Sequence, residues 1–301
     1  MSDRADEPLL DGATLRQLER LRLRDLDAIV RGLLGETSAG AGSGGRGLEF
    51  ADYRAYVPGD DLRRIDWNVY ARLNQPFIRT SPLDRELGLA LLLDGSRSMG
   101  DRGAPARRHA EQVAALVGAV ALLRGGTVQL TILADGDGVN GEPLTGEQHV
   151  PLLLEQLDRL PRGRSTDLAA GIHKRRPLEV GAEIAALLTD ALIPLEALDD
   201  GLNALRGTRA ATLLHVAEPG ATAALEGPVE LVDRESGELL ALDVTPAVLA
   251  AHAEALAEHA RKVESHCRRF GIGYVSLPAG GNAFDQVTAL ADEQELLDRA
   301  R

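Results

Sequence analysis

The sequence predicts an α/β protein: a doubly wound, mostly parallel sheet with helices on both faces. Three observations carry that expectation. Leu89-Ala90-Leu91-Leu92-Leu93-Asp94 is a continuous apolar run that stops in the small, oxygen-rich loop Gly95-Ser96-Arg97-Ser98-Met99-Gly100, as a strand buried on both faces does where it opens toward a ligand. From Leu87 onward, apolar runs alternate with stretches of helical spacing. Carboxylates stand where two of those runs stop: Asp94 after the first, and Asp190 after Ala182–Thr189.

A chain of 301 residues with 44% hydrophobic content can bury the core of one large or two ordinary domains. Its net charge of −13 argues against a nucleic-acid partner, because affinity for phosphate backbones rests on clustered Lys and Arg. A single cysteine, Cys267, cannot form an internal disulfide, and no basic-then-apolar leader is present, so a reducing cytoplasm is the expected compartment. The apolar runs fall short of the ~20 residues of a spanning helix, which leaves peripheral docking as the expected form of any membrane contact. With aromatics at 3%, the packing relies on aliphatic side chains.

In chain order, Thr14-Leu15-Arg16-Gln17 reads as a capping box opening an amphipathic helix. Leu15, Leu18, Leu26, Ile29, Val30 and Leu33 supply its apolar positions, and Gly35 its stop. The glycine-rich residues 35–47 lack both the preceding strand and the Gly-Lys-Ser/Thr of a phosphate loop, and read as a linker. Residues 48–80 gather Phe50, Tyr53, Tyr56, Trp67, Tyr70 and Phe77 among Arg54, Arg63, Arg64 and Arg72 and the acids Asp52, Asp60, Asp61 and Asp66. Equal numbers of acids and bases favour a structural platform of ion pairs and stacked rings over a nucleic-acid surface. Trp67→Ala is therefore expected to destabilise the fold by a few kcal/mol, read as a lowered melting temperature. The expected organisation is a helix and linker over 1–45, the platform over 46–86 and the sheet domain over 87–301.

Within that domain a helix is expected from Ala106 to Leu123, ended by Gly125-Gly126, and a strand over Val128–Leu133. Asp135-Gly136-Asp137-Gly138-Val139-Asn140-Gly141 imitates the start of a calcium loop, but Gly146 stands where the bidentate Glu belongs, so a hairpin turn is expected. Next come helices over His149–Leu160 and from Leu168, a strand over Ala182–Thr189 and a helix from Pro194 to Arg206. A strand over Ala211–Val216 and a hairpin over Val229–Val244 follow. Thr245-Pro246 opens a long helix to Phe270, before a strand over Ile272–Leu277 and an acidic helical tail from Asn282. His252, His259 and His266 share one face of the long helix, but about 10 Å between neighbours is too far for one metal, so they read as surface or interface residues.

Loops at the carboxyl edge of a doubly wound sheet converge, so Asp94, Ser96, Ser98, Thr166 and Asp190 can share one site. Two carboxylates and three hydroxyls suit Mg²⁺, Mn²⁺ or Ca²⁺ better than a soft metal. So lightly charged a set would leave the ion able to attract a carboxylate from a partner.

This set resembles the metal-ion-dependent adhesion site of the von Willebrand factor A fold. The run Arg54-Ala55-Tyr56-Val57-Pro58-Gly59-Asp60-Asp61-Leu62-Arg63-Arg64-Ile65-Asp66-Trp67, followed by Ala71-Arg72, resembles the hallmark of the DUF58 family of bacterial proteins. Together the likeness covers about residues 46–280. It implies a von Willebrand A-like, Rossmann-like domain in which Ser96, Ser98 and Thr166 touch Mg²⁺ directly, while Asp94 and Asp190 bind the ion or its waters. It also implies a MoxR-type AAA+ ATPase as partner, in chaperone-like maturation or assembly of other proteins, with a client supplying an acidic residue to the metal. Arg97, Arg164 and Asp167, beside those positions, are the expected partner-contacting side chains.

The expectation is a binding module, not a catalyst. A phosphohydrolase of the haloacid-dehalogenase type needs a second carboxylate where Ser96 stands, and no Gly-x-Ser-x-Gly elbow is present. A metal-dependent phosphohydrolase using Asp94 and a metal-free scaffold whose hydroxyls cap helices are the alternatives.

Overall fold

The first two strands, Tyr53–Ala55 (β1) and Phe77–Arg79 (β2), pair antiparallel as a ribbon of their own. The main sheet is organised around Leu87–Asp94 (β3), which runs parallel to Thr127–Ala134 (β4) on one side and to Ala182–Thr189 (β7) on the other. Asp137–Asn140 (β5) and Leu144–Thr145 (β6) both pair antiparallel with β4. Beyond β7, Ala210–Ala217 (β8) and Gly273–Pro278 (β11) extend the sheet in parallel, giving the order β11-β8-β7-β3-β4-β5. Gly227–Val232 (β9) and Leu239–Val244 (β10) form a separate antiparallel hairpin. The computed structural model describes residues 8–21, 29–30, 53–55, 70, 75–79, 87–100, 104–135, 137–159, 167–175, 182–217, 226–233 and 237–290.

The helices are α1 (Gly12–Arg20), α2 (Pro105–Leu123), α3 (Val150–Asp158), α4 (Leu168–Lys174), α5 (Leu195–Ala204) and α6 (Pro246–Phe270), and residues 283–290 are also helical. They cover both faces of the sheet, and β3 shows why its sequence is apolar throughout. Leu89, Leu91 and Leu93 enter one core with Val113 and Val117 of α2 and Leu153 of α3. Ala90 and Leu92 enter the other with Leu168 of α4, Leu202 of α5 and Val263 of α6. A strand covered on both faces has no solvent side on which to place polar residues.

Three sequence expectations shift. The first helix opens three residues earlier than the capping-box reading: the Asp11 carboxylate accepts the Thr14 N–H at 2.7 Å, so Asp11 is the N-cap. This helix ends at Leu21 in extended conformation rather than running on, while Ile29 and Val30 are helical and buried; Leu26, Leu33 and Gly35 lie outside the described residues. The helix expected over His149–Leu160 is shorter, with a 3-10 turn over Glu147–His149 leading into Val150–Asp158. The calcium-like run is the expected hairpin: Asp135 turns at φ 51° and Asp137 begins β5, its carboxylate paired with Lys174. Trp67 and the Pro58-Gly59 turn lie outside the described residues.

Cys267 of α6 sits fully buried in the second core, and burial pushes its thiol up to about 12. A thiol kept neutral by the fold adds stability that is complete below its ordinary value of 9.0 and is lost as pH rises through the folded value. Iodoacetamide at pH 8 should therefore label Cys267 only as fast as the chain opens, with labelling accelerating in step with urea unfolding.

Candidate metal centre

The sheet winds from β3 to β4 and then returns to β7 on the other side of β3, so the carboxyl ends of β3 and β7 form its switch point. Asp94 ends β3 there, wholly buried. Its Oδ1 accepts the Ser96 N–H at 2.9 Å, and its Oδ2 accepts the Thr189 hydroxyl at 2.6 Å. Gly95 lets the chain leave the sheet edge, because a Cβ there would fall 2.9 Å from Ile132 Cγ2 and 3.1 Å from the Leu133 carbonyl. The Gly95 N–H itself donates to that carbonyl at 2.8 Å. The loop then folds so that the Ser96 and Ser98 hydroxyls lie 2.8 Å apart, while Met99 is buried beneath it and Arg97 points its exposure outward. Local turn chemistry thus brings one carboxylate and two hydroxyls together.

The end of β7 supplies the second half. Thr189 is fully buried and its hydroxyl has two uses, donating to Asp94 and accepting the Ala191 N–H at 2.9 Å. Asp190 follows, 6% exposed, with Oδ1 accepting the Leu192 N–H at 3.0 Å. Ala191 has φ 53°, a left-handed conformation that costs a non-glycine residue about 1–3 kcal/mol and persists only where its surroundings hold it. Two histidines help to hold it. His215 of β8 donates from Nε2 to the Asp190 carbonyl at 2.9 Å, and His259 of α6 donates from Nε2 to the Ala191 carbonyl at 2.8 Å. Carbonyls only accept, so Nε2 carries the proton in both rings, and the Nδ1 of neutral His215 accepts from the Tyr274 hydroxyl at 2.8 Å. Burial holds the His215 imidazole below its ordinary value against the pull of the Asp190 carbonyl, and the charge of His259 adds to the depression.

Thr189, His215 and His259 shape this edge and were not singled out from the sequence. Thr189 had a signal, a hydroxyl closing an apolar strand one residue before Asp190. The histidines had none, since their partners are backbone atoms far along the chain. The expectation of three surface or interface histidines on α6 is corrected as well. Only His252 is exposed; His259 holds Ala191, and His266 donates from Nδ1 to Asp199 of α5 at 2.6 Å beside Arg269. Thr189→Val keeps the shape but removes both hydrogen bonds, and should lower stability in urea titrations by about 1–3 kcal/mol, whereas Thr189→Ser should stay near wild type.

Of the residues expected to form the site, Asp94, Ser96, Ser98 and Asp190 meet at this edge, and Ser98 and Asp190 line one cavity of about 310 Å³. Asp167 caps α4, its Oδ1 accepting the Ala170 N–H at 2.9 Å. Thr166 and Arg164 lie outside the described residues. Asp94, Ser96, Ser98 and Asp190 offer oxygen donors, the chemistry that hard cations select, while His215, His252 and His259 line the cavity that Ser98 and Asp190 share. Among the described residues no three His, Cys, Asp or Glu side chains come together as a ligand set, so serine hydroxyls are the groups that would complete a shell around the two carboxylates.

An open, mostly parallel sheet in the order β11-β8-β7-β3-β4-β5 with helices on both faces is a doubly wound, Rossmann-like α/β fold. The profile of the family described as "Protein of unknown function DUF58" matches residues 52–262. Uncharacterized proteins of Mycobacterium bovis and Mycobacterium tuberculosis are 32% identical over 278 residues, covering 90% of this chain and 86% of theirs. The chain belongs to the DUF58 family. Among solved structures it is similar to BatB from Bacteroides thetaiotaomicron, at 16% identity and a TM-score of 0.41 over 70% of this chain and 99% of that one. It is also similar to a von Willebrand factor type A protein from Catenulispora acidiphila, at 13% identity and a TM-score of 0.35 over 72% of this chain and 43% of that one. At such scores the fold rests on this chain's own strand order. Among the described residues, no helix is long and apolar enough to cross a membrane.

Proposed function

We propose that this protein is a metal-dependent, adhesion-type interaction module that grips an acidic side chain of a client protein and works with a MoxR-type AAA+ ATPase in chaperone-like maturation or assembly. One observation carries the reading: Asp94, Ser96, Ser98 and Asp190, from two strands far apart in sequence, converge at the switch point with oxygen donors only. Ser96, Ser98 and Thr166 would hold Mg²⁺, with Asp94 and Asp190 binding it or its waters. The bound ion would supply a concentrated positive charge for a partner carboxylate. A chain of net charge −13 repels acidic partners at long range, so a cation at the contact is what makes such a grip favourable.

Asp94 and Thr189 act as fixed scaffolding in this reading, since each is wholly buried and tied to the other. Arg97, exposed at the crest of the loop, is placed to meet the partner, and family resemblance supplies the ATPase and the chaperone-like role. Binding is favoured over phosphoryl chemistry because the residue two after Asp94 is Ser96, whose hydroxyl is engaged with Ser98 and offers no second carboxylate. The test is co-elution of this protein with a MoxR-type ATPase and its captured client in Mg²⁺, against the same mixture in EDTA. Client capture should vanish with the chelator and with Asp190→Ala. Identical capture in all three would remove the metal from the mechanism.

A further inference from the structure

Helix α6 runs for 25 residues, yet its buried positions, Val263 and Cys267, both lie in its C-terminal half. Its N-terminal half holds no buried residue, and a groove of about 310 Å³ lies between Leu256 and His259 on the helix and His215, Asp190, Leu192 and Ser98 on the sheet side. The groove and the metal centre are one continuous surface, because Ser98 and Asp190 belong to both. Any ligand seated on those residues has this groove as its next contact.

The groove is more apolar than its residue names imply. Both nitrogens of His215 are engaged, with the Asp190 carbonyl and the Tyr274 hydroxyl, so its ring offers a ligand no hydrogen-bonding group. The Nε2–H of His259 is directed at the Ala191 carbonyl. Leu256 is half-buried, and Leu192 is 53% exposed at the lip, directly after the strained turn that carries Asp190. With Val216, Ala217, Ala257 and Ala260 they make the groove wall aliphatic, continuous with the polar residues Ser98 and Asp190. The volume lies at the small end of ligand pockets, enough for one aliphatic side chain and too little for a folded element.

From this continuity we infer that the recognised unit is a polypeptide segment pairing an acidic residue, held at the metal centre, with an aliphatic residue close to it in sequence, held between Leu192 and Leu256. The inference rests on the proposed metal-dependent grip and adds its specificity: the carboxylate provides attachment, and the aliphatic neighbour provides the choice among acidic segments. His252, exposed near the mouth of the groove, borders the path by which the segment leaves.

The test uses the full-length protein with Mg²⁺ and a library of fluorescent Gly/Ser nonapeptides carrying one central Glu, with Leu, Ile, Val, Ser or Lys placed at each of the two positions on either side. Binding is read by anisotropy. At one or two of those positions Leu, Ile or Val should strengthen binding about tenfold or more over Ser, as burial of an aliphatic side chain does. Leu256→Asn and, separately, Leu192→Ser should abolish that preference, so that each variant binds the Leu and Ser peptides equally. Peptides that bind through Glu and Mg²⁺ with no preference for an aliphatic neighbour would overturn the groove assignment and leave the grip intact. Binding indifferent to both Glu and Mg²⁺ would overturn the grip, and the groove assignment with it.

Discussion

Asp94→Ala should abolish Mg²⁺ binding in titration calorimetry and also lower stability by about 1–3 kcal/mol. Both effects have one origin. The Asp94 carboxylate is wholly buried and accepts the Ser96 N–H and the Thr189 hydroxyl, so truncation removes the anion proposed to serve the metal and deprives two donors of their acceptor. The two effects separate in Asp94→Asn, which retains an acceptor for Ser96 while removing the charge. That variant should keep most of the stability and still fail to bind Mg²⁺. Equal heats for wild type and both variants would sink the metal assignment.

The second large effect belongs to the sheet. Leu91→Ala and Leu92→Ala should each cost about 2–5 kcal/mol, although the two residues are adjacent and point in opposite directions. Leu91 packs in the core with α2 and α3, and Leu92 in the core with α4, α5 and α6; each is 0% exposed. Because the side chains share no core, the losses should add to within about 0.5 kcal/mol in the double variant. In a strand with one wet face, one of the two substitutions would be nearly silent. A silent Leu91→Ala or Leu92→Ala in chemical denaturation would contradict a sheet covered on both faces.

How far the sequence could be read follows from the range of the interactions involved. The strand Ala182–Thr189 and the helix Pro246–Phe270 were legible because their signals are local: an unbroken apolar run in one, and Thr245-Pro246 at the start of the other. Asp94, Ser96 and Ser98 were legible for the same reason, since a short loop holds all three. Asp190 was legible only through topology, as a carboxylate at a strand end that a doubly wound sheet must bring to the same edge. The Asp11 cap was missed because Thr14 offered a competing local pattern three residues on, and the choice between them depends on where the helix axis starts. Thr189 as a partner of Asp94, and His259 as a clamp on Ala191, depend on contacts spanning 95 and 68 residues. No local period encodes such contacts.

The hydrogen bond between Thr189 and Asp94 also bears on how the protein is made. Its two ends are separated by 95 residues, and β7 reaches its place beside β3 only after the chain between them has been synthesised. A ribosome-bound chain that has delivered β3 and β4 displays Asp94 without Thr189, Asp190 or the histidine clamps from β8 and α6. Long-range strand pairing of this kind forms late, because the entropy of closing the loop must be met before the contacts return it. Half-made chains therefore lack the joined strand ends, and the edge that brings Asp94, Thr189 and Asp190 together exists only on molecules whose sheet is complete.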